Sequence, residues 1–158
     1  MKAWQIIVTT ASLMGIFSLG KANTLRVALD GTQPYTVIQE AITASANGDT
    51  VLVYPGRYLE NVDYNGKNIT LASLELTTGN PAYRDSTIID GNQNGSVIKS
   101  TATISIAEVY GFTLTNGSGT PAWYYQGLPI KLGGAIWIKN AQAFNIVSCI
   151  ITGNADLS

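Results

Sequence analysis

The chain has 158 residues, and subtracting an evident leader of about 22 residues leaves roughly 136, the size of one domain. Charged residues make up only 12% and glycine is frequent, a balance typical of a protein of strands and turns, which excludes a helical bundle. Removing Lys2 and Lys21 with the leader leaves 7 of the 9 basic residues against 10 acidic ones, so we expect no nucleic-acid partner. With no histidine and one cysteine, the sequence offers no histidine triad and no Cys/His zinc site, and we expect neither metal nor cofactor.

Residues 1–22 have the features of a secretory signal peptide. Lys2 precedes an apolar run from Ile6 to Leu19, and the small residues Gly20 and Ala22 stand at the positions that cleavage requires. A membrane anchor is the alternative, but it needs about 20 strongly apolar residues and this run is shorter. We therefore expect a mature domain of residues 23–158, located outside the cell or on its outer surface, with no membrane-spanning segment once the leader is removed.

Residues 36–46 are predicted to form a short amphipathic helix. Thr36 and Gln39 have the spacing of a capping box, and Asn47–Gly48 is a typical stop. The apolar face comprises Ile38, Ala41 and Ile42. Because a helix of this length is unstable alone, we expect it to cover the open end of the structure that follows.

Six short β-branched segments follow, each bounded by Gly, Asn or Pro, as strands joined by tight turns are. They are Asp49–Tyr54, Asn68–Ser73, Thr87–Asp90, Val109–Thr115, Ala135–Lys139 and Ile146–Thr152.

Two stretches of the strand region repeat one another. Residues 107–117 align with residues 144–154 at an offset of 37 positions, and apolar residues meet at each position expected to face inward. The matched pairs are Val109 with Ile146, Phe112 with Cys149, and Leu114 with Ile151. Removing the 15-residue segment Ser118–Leu132, which differs in composition, reduces the offset to 22, a solenoid coil length. An antiparallel sandwich is the alternative, but it would not explain a fixed offset.

The stretch from residue 27 to residue 73, with DGTQPYTVIQEAI, NGDTVLVYPGRYLEN and GKNITLAS, resembles the N-terminal part of pectate lyase-like proteins, including pectin methylesterases. The later STIIDGNQNGSV, GFTLTNGSG, GGAIWIKN and CIITGNA are similar to repeats of secreted bacterial surface proteins of the polymorphic outer membrane protein type. The resemblance implies an all-β fold, a right-handed parallel β-helix solenoid of about four coils with a short N-terminal capping α-helix. Such folds include enzymes, adhesins and stalks, so the fold alone implies no chemistry.

The enzyme motifs of these families are incomplete. Residues 56–60, GRYLE, match the GxYxE motif of pectin methylesterases, but that family's QDTL, DFIFG and GRPW motifs are absent, as are the NTD, DD, GHG and RIK motifs of polygalacturonases. We therefore assign no catalytic residue and expect Glu60 to stabilise a turn. Asp63, Arg84 and Asp85 are the remaining charged candidates, and no spacing unites them with Glu60.

The insertion contains the candidate ligand-binding residues Trp123, Tyr124 and Tyr125. Exposed aromatic rings stack on the apolar faces of sugars, and Tyr and Trp add a hydrogen-bonding tip. The alternative is a loop whose rings pack against the flank of the solenoid.

Asp90 begins the sequence DxNxNG, which resembles the start of a calcium-binding loop. Its twelfth position is Thr101 instead of the bidentate glutamate, so we predict a turn and no metal site.

The predicted function is surface display or binding, with a polysaccharide or cell-surface glycan as the partner. A lyase or esterase whose catalytic coils lie on another part of the protein is one alternative, and a passive stalk is another. The segment from Ala155 to Ser158 contains no capping element, so we expect either a C-terminal continuation or end-to-end association.

Overall fold

The computed structural model describes residues 21–125 and 128–155, with the backbone alone for residues 122–125 and 128–130. Nearly all of the predicted leader therefore lies outside the described residues. In the described ranges, no helix combines the length and apolar character needed to cross a bilayer.

Strands dominate the described residues, and the fold is all-β, as predicted. The strands are β1 (Thr24–Val27), β2 (Thr50–Val53), β3 (Gly56–Leu59), β4 (Val62–Asp63), β5 (Thr70–Ser73), β6 (Thr87–Asp90), β7 (Ile98–Ser100), β8 (Ile104–Tyr110), β9 (Thr113–Thr115), β10 (Thr120–Tyr125), β11 (Leu128–Leu132), β12 (Ile136–Ile138), β13 (Ala141–Val147) and β14 (Ile150–Ile151). The helices are α1 (Ile38–Ala44), α2 (Glu75–Thr78) and α3 (Ala82–Ser86).

Most of the strands form three parallel sheets. Sheet A has the order β1-β2-β5-β8-β13, sheet B has β14-β9-β6-β3, and sheet C has β12-β7-β4. The chain visits the sheets in the repeating order A, B, C, and we call each such visit a pass. The first pass is β2, β3 and β4, the second is β5, β6 and β7, the third is β8, β9 and β12, and the fourth begins with β13 and β14.

Apolar side chains at matched positions of successive passes form ladders that are buried in the first three passes and exposed in the fourth. One ladder in sheet A comprises Val51, Leu71, Val109 and Ile146. One in sheet B comprises Tyr58, Ile89, Leu114 and Ile151. The pairings of Val109 with Ile146 and of Leu114 with Ile151 confirm the register predicted from the offset of 37 positions.

Two predicted strands are each divided by a corner. Val109–Thr115 was expected to be one strand, but the chain turns from β8 into β9 at Gly111, whose φ is 74°. Ile146–Thr152 is likewise divided between β13 and β14 at Ser148, whose φ is 51°. A single residue in the left-handed region redirects the backbone, so each segment contributes to two sheets.

Helix α1 is shorter than predicted, and its capping box does not form. Ile38, Ala41 and Ile42 are buried in the core as expected, but the N-cap residue is Val37 and no side chain of the helix caps it. The Gln39 side chain instead binds the Asp63 backbone, with its Oε1 accepting from Asp63 N at 2.7 Å. The prediction that Thr36 caps this helix is therefore wrong.

Charged side chains from the first pass hold both ends of α1. Glu60 accepts hydrogen bonds from the backbone N–H groups of Ile38 and Gln39, each at 2.9 Å. Lys67 Nζ donates to the carbonyl oxygens of Ile42, Thr43 and Ser45 at 2.6–2.7 Å. Both interactions also complement the helix dipole, because the carboxylate lies at the N-terminus and the ammonium at the C-terminus. Glu60 therefore stabilises a helix end, whereas the sequence predicted that it stabilises a turn.

The predicted insertion forms a separate antiparallel hairpin. Strands β10 and β11 pair only with each other. At the base of the hairpin, Ser96 Oγ lies 2.8 Å from Thr120 Oγ1 and donates to Gly133 O at 2.6 Å. The hairpin thus interrupts the third pass between β9 and β12 without joining the three parallel sheets.

Candidate functional site

The aromatic residues Trp123, Tyr124 and Tyr125 lie on β10, opposite residues of β11. The structure describes only the backbone of these three residues, so their stacking on sugar rings stays a prediction. The structure places their backbone on a hairpin whose two strands pair only with each other.

The four charged candidates divide into two groups. Glu60 binds α1, and Asp63 lies 3.8 Å from Lys99 Nζ. Arg84 instead interacts with Asp85 and with Ser148. No hydrogen bond or ion pair in the described part of the chain joins the two groups.

The DxNxNG segment forms a turn whose aspartate is engaged inside the protein. Asp90 is buried and accepts hydrogen bonds from Asn92 N at 2.8 Å, Asn116 Nδ2 at 3.0 Å and the Arg57 guanidinium. Burial opposes ionisation of Asp90, but these bonds together outweigh it and lower its pKa below 3.8. The residues described here contain no cluster of three or more Asp, Glu or Cys side chains able to hold a metal ion.

A buried carboxylate connects the second and fourth passes at the corner between sheets A and B. Glu75 Oε1 accepts a hydrogen bond from Ser148 Oγ at 2.6 Å, while Oε2 has no protein partner among the described residues. The contact reaches across Gly111 of the third pass, where a Cβ would lie 3.0 Å from Glu75 Oε2 and 2.6 Å from Ser73 Oγ. Glycine at this corner therefore allows the carboxylate to span two passes.

A cavity of about 240 Å³ lies on the outer face of sheet A. Thr70, Glu108 and Asn145 stand side by side in the sheet, and their neighbours Leu71, Val109 and Ile146 form the inward ladder. Because side chains alternate along a strand, the first three residues face outward. The cavity is lined by Gly48, Asn68, Ile69, Thr70, Ile106, Ala107, Glu108 and Asn145.

Asn68 joins several parts of the cavity lining. Its Oδ1 accepts hydrogen bonds from the backbone N–H groups of Ser105 at 2.6 Å and Ile106 at 3.1 Å. Its carbonyl oxygen accepts from Gly48 N at 2.7 Å. Because Oδ1 is occupied by two donors, the amide nitrogen Nδ2 is oriented as a donor with no partner among the described residues.

The cavity combines unpaired polar groups with an apolar wall. The Glu108 carboxylate, the Thr70 hydroxyl and the Asn145 amide make no hydrogen bond or ion pair with any described residue, and no Lys or Arg lines the cavity. Ile106 supplies an apolar surface and is 64% exposed. A few convergent polar groups beside apolar surface are what a small-molecule site requires.

Sequence reasoning missed this cavity, although part of the signal was present. The offset of 37 positions already aligns Glu108 with Asn145. Thr70 joins them only when the register between β5 and β8 is known, and helices α2 and α3 intervene between these strands.

The chain was compared with protein-family models, with curated proteins and with solved structures, and none of the three comparisons gave a match.

Proposed function

We propose that this chain is a secreted or cell-surface module that binds carbohydrate, and that its three parallel sheets form a right-handed parallel β-helix. The repeating A, B, C order of the strands and the apolar ladders support the β-helix. The features of residues 1–22 support secretion.

The cavity on sheet A is the observation that carries the binding role. A pyranose presents hydroxyl groups that both donate and accept hydrogen bonds, together with an apolar C–H face. Asn68 Nδ2 supplies donors, the Glu108 carboxylate supplies acceptors, and the hydroxyl of Thr70 and the amide of Asn145 supply both. Ile106 lies beside them as an apolar surface for the C–H face.

The hairpin provides a second surface for the same class of ligand. Its three consecutive aromatic residues are suited to stacking on sugar rings. The hairpin is inserted between β9 of sheet B and β12 of sheet C, so it is a surface distinct from the cavity on sheet A.

Glycan-array binding by the purified protein, followed by calorimetry with the best ligands, tests the proposal. Thr70→Val and Asn145→Ala should each weaken binding several-fold, because each removes hydrogen bonds to the ligand while keeping the strand intact. Asn140→Ala is the matched control, since Asn140 is an exposed amide that does not line the cavity. An array without binders, or equal losses in the control, would reject the carbohydrate role and favour a passive stalk.

A further inference from the structure

We infer that the cavity on sheet A accepts a sugar unit that carries a protonated amine, and that Glu108 is the residue that selects it. This inference rests on the proposed carbohydrate-binding function and names the class of sugar.

Glu108 is partly buried, and its carboxylate has no positive partner among the described residues. A positive charge placed beside this carboxylate would be attracted to it. Every other polar group that lines the cavity is an amide, a hydroxyl or backbone. A ligand amine would therefore supply the missing positive charge, and hydrogen bonds between charged groups are about twice as strong as neutral ones.

The position of Glu108 is fixed by its backbone. Its N–H donates to Ile69 O at 3.1 Å, and its carbonyl oxygen accepts from the buried Tyr64 hydroxyl at 2.7 Å. Strand pairing with Thr70 and Asn145 on either side completes this support. The backbone of Glu108 is thus held between Thr70 and Asn145, whose side chains would bind the hydroxyls of the same sugar.

The same arrangement disfavours acidic sugars. A uronate bound in the cavity would place its carboxylate beside Glu108, and no Lys or Arg in the lining would offset the repulsion. The cavity is therefore poorly suited to pectin-like polymers, although the sequence motifs resemble those of pectin-active proteins. Neutral sugars would bind through hydroxyl groups, but without the ion pair.

Calorimetry with three probes tests the inference at pH 6: glucosamine oligomers, the same oligomers after N-acetylation, and galacturonate oligomers. We expect the amine-bearing probe to bind best, the acetylated probe about fivefold more weakly, as for a half-exposed ion pair, and the uronate least. Glu108→Gln should weaken binding of the amine probe by about fivefold and leave the acetylated probe unchanged. The matched control is Glu40→Gln, which removes the same charge from an exposed position on α1 that does not line the cavity.

The possible outcomes separate this inference from the proposed function. Equal affinity for the amine and acetylated probes, with no effect of Glu108→Gln, would overturn the selectivity and leave carbohydrate binding intact. An equal loss in Glu40→Gln would show attraction to net charge instead of a site, and would also overturn it. Failure of all three probes, while other sugars on the array bind, would reject the ligand class alone, whereas an array without binders would reject both proposals. Circular dichroism of each variant verifies that it is folded.

Discussion

The first and fourth passes place similar residues at equivalent ladder positions, yet their burial differs. Val51 and Tyr58 of the first pass are 0% and 1% exposed, whereas Ile146 and Ile151 of the fourth are 48% and 50% exposed. The first pass lies between β1, α1 and the second pass, whereas the fourth is stacked on one side only among the described residues. Burial in this fold is therefore determined by the neighbouring pass and not by the residue itself.

The covering of the first pass depends on long-range contacts. Helix α1 has 7 residues and no side-chain cap of its own, and a helix of that length is not stable in isolation. Glu60 and Lys67 hold its two ends, while Ile38 and Ile42 fill the core beneath it. The helix therefore depends on contacts with the first pass for its stability.

The largest expected effect on the free energy of unfolding comes from shortening a buried apolar side chain of the third pass. Phe112 is fully buried in the third pass, so Phe112→Ala should lower the free energy of unfolding by about 3–5 kcal/mol. Leu114→Ala should cost about 2–5 kcal/mol, and Ile151→Ala, at the equivalent but half-exposed position, clearly less. Urea unfolding of the three variants measures these differences. A loss below about 1 kcal/mol for Phe112→Ala, or equal losses at positions 114 and 151, would contradict the comparison.

A smaller effect is expected from releasing one end of α1. Lys67→Met removes three hydrogen bonds from a charged donor while keeping most of the apolar stem, so we expect a loss of about 1.5–3 kcal/mol. Glu60→Gln should cost about 1 kcal/mol, because the amide oxygen still accepts one bond. Lys139→Met is the control for Lys67→Met, because Lys139 is exposed and lies outside α1. If Lys67→Met and Lys139→Met have the same urea midpoint, the capping contacts do not stabilise the helix.

The repeat and the apolar face of the helix were predictable because they depend on local patterns. Thr87–Asp90 is a strand with the predicted bounds, and the offset of 37 positions gives the observed pairing of Val109 with Ile146. The hydrophobic spacing of Ile38 and Ile42 likewise identified their buried face. Each of these features can be predicted from the pattern of apolar residues along the sequence.

The remaining features depend on residues that are distant in sequence. Glu60 caps a helix that begins 22 positions earlier, so the nearby Thr36 looked like the cap although it does not form one. The corner at Gly111 lies inside a β-branched run that reads as one strand. The cavity requires side chains from three passes, and helices α2 and α3, which lie between β5 and β6 of the second pass, hide the alignment of Thr70 with Glu108.

The polar contacts between passes include both charged and neutral hydrogen bonds. Asp90 links the first three passes through Arg57 and Asn116. The fourth pass is joined to the third by the neutral amide of Asn154, which accepts from Gly117 N at 2.8 Å, and to the second by the hydrogen bond between Ser148 and Glu75. Asp90 and Asn154 therefore allow a charged link to be compared with a neutral one.

Acid should therefore weaken the Asp90 link selectively. Its folded-state pKa is lowered below 3.8, so the stabilisation is present above the unfolded pKa of about 3.9 and is lost as the pH falls through the folded value. Because Arg57 is half-exposed, we expect a change of about 1 kcal/mol between pH 6 and pH 3, and a flatter profile for Asp90→Asn. Asn154→Ala should lower stability without changing the slope. Parallel pH profiles for the protein and Asp90→Asn would show that this carboxylate does not contribute.

The smallest effect on stability is expected at the hairpin, which belongs to neither the first nor the fourth pass. Strands β10 and β11 pair only with each other, so replacing Trp123, Tyr124 and Tyr125 together with Ala should shift Tm by about 2 °C or less. If the rings stack on sugars, glycan binding at the hairpin should be lost, while binding in the cavity on sheet A should remain, because no residue of the hairpin lines that cavity. Thr70→Val, by contrast, should weaken binding in the cavity. A large fall in Tm for the triple variant would show that the rings pack against the passes on either side of the hairpin. In that case the hairpin would be part of the stack, and the cavity would be the binding surface on its own.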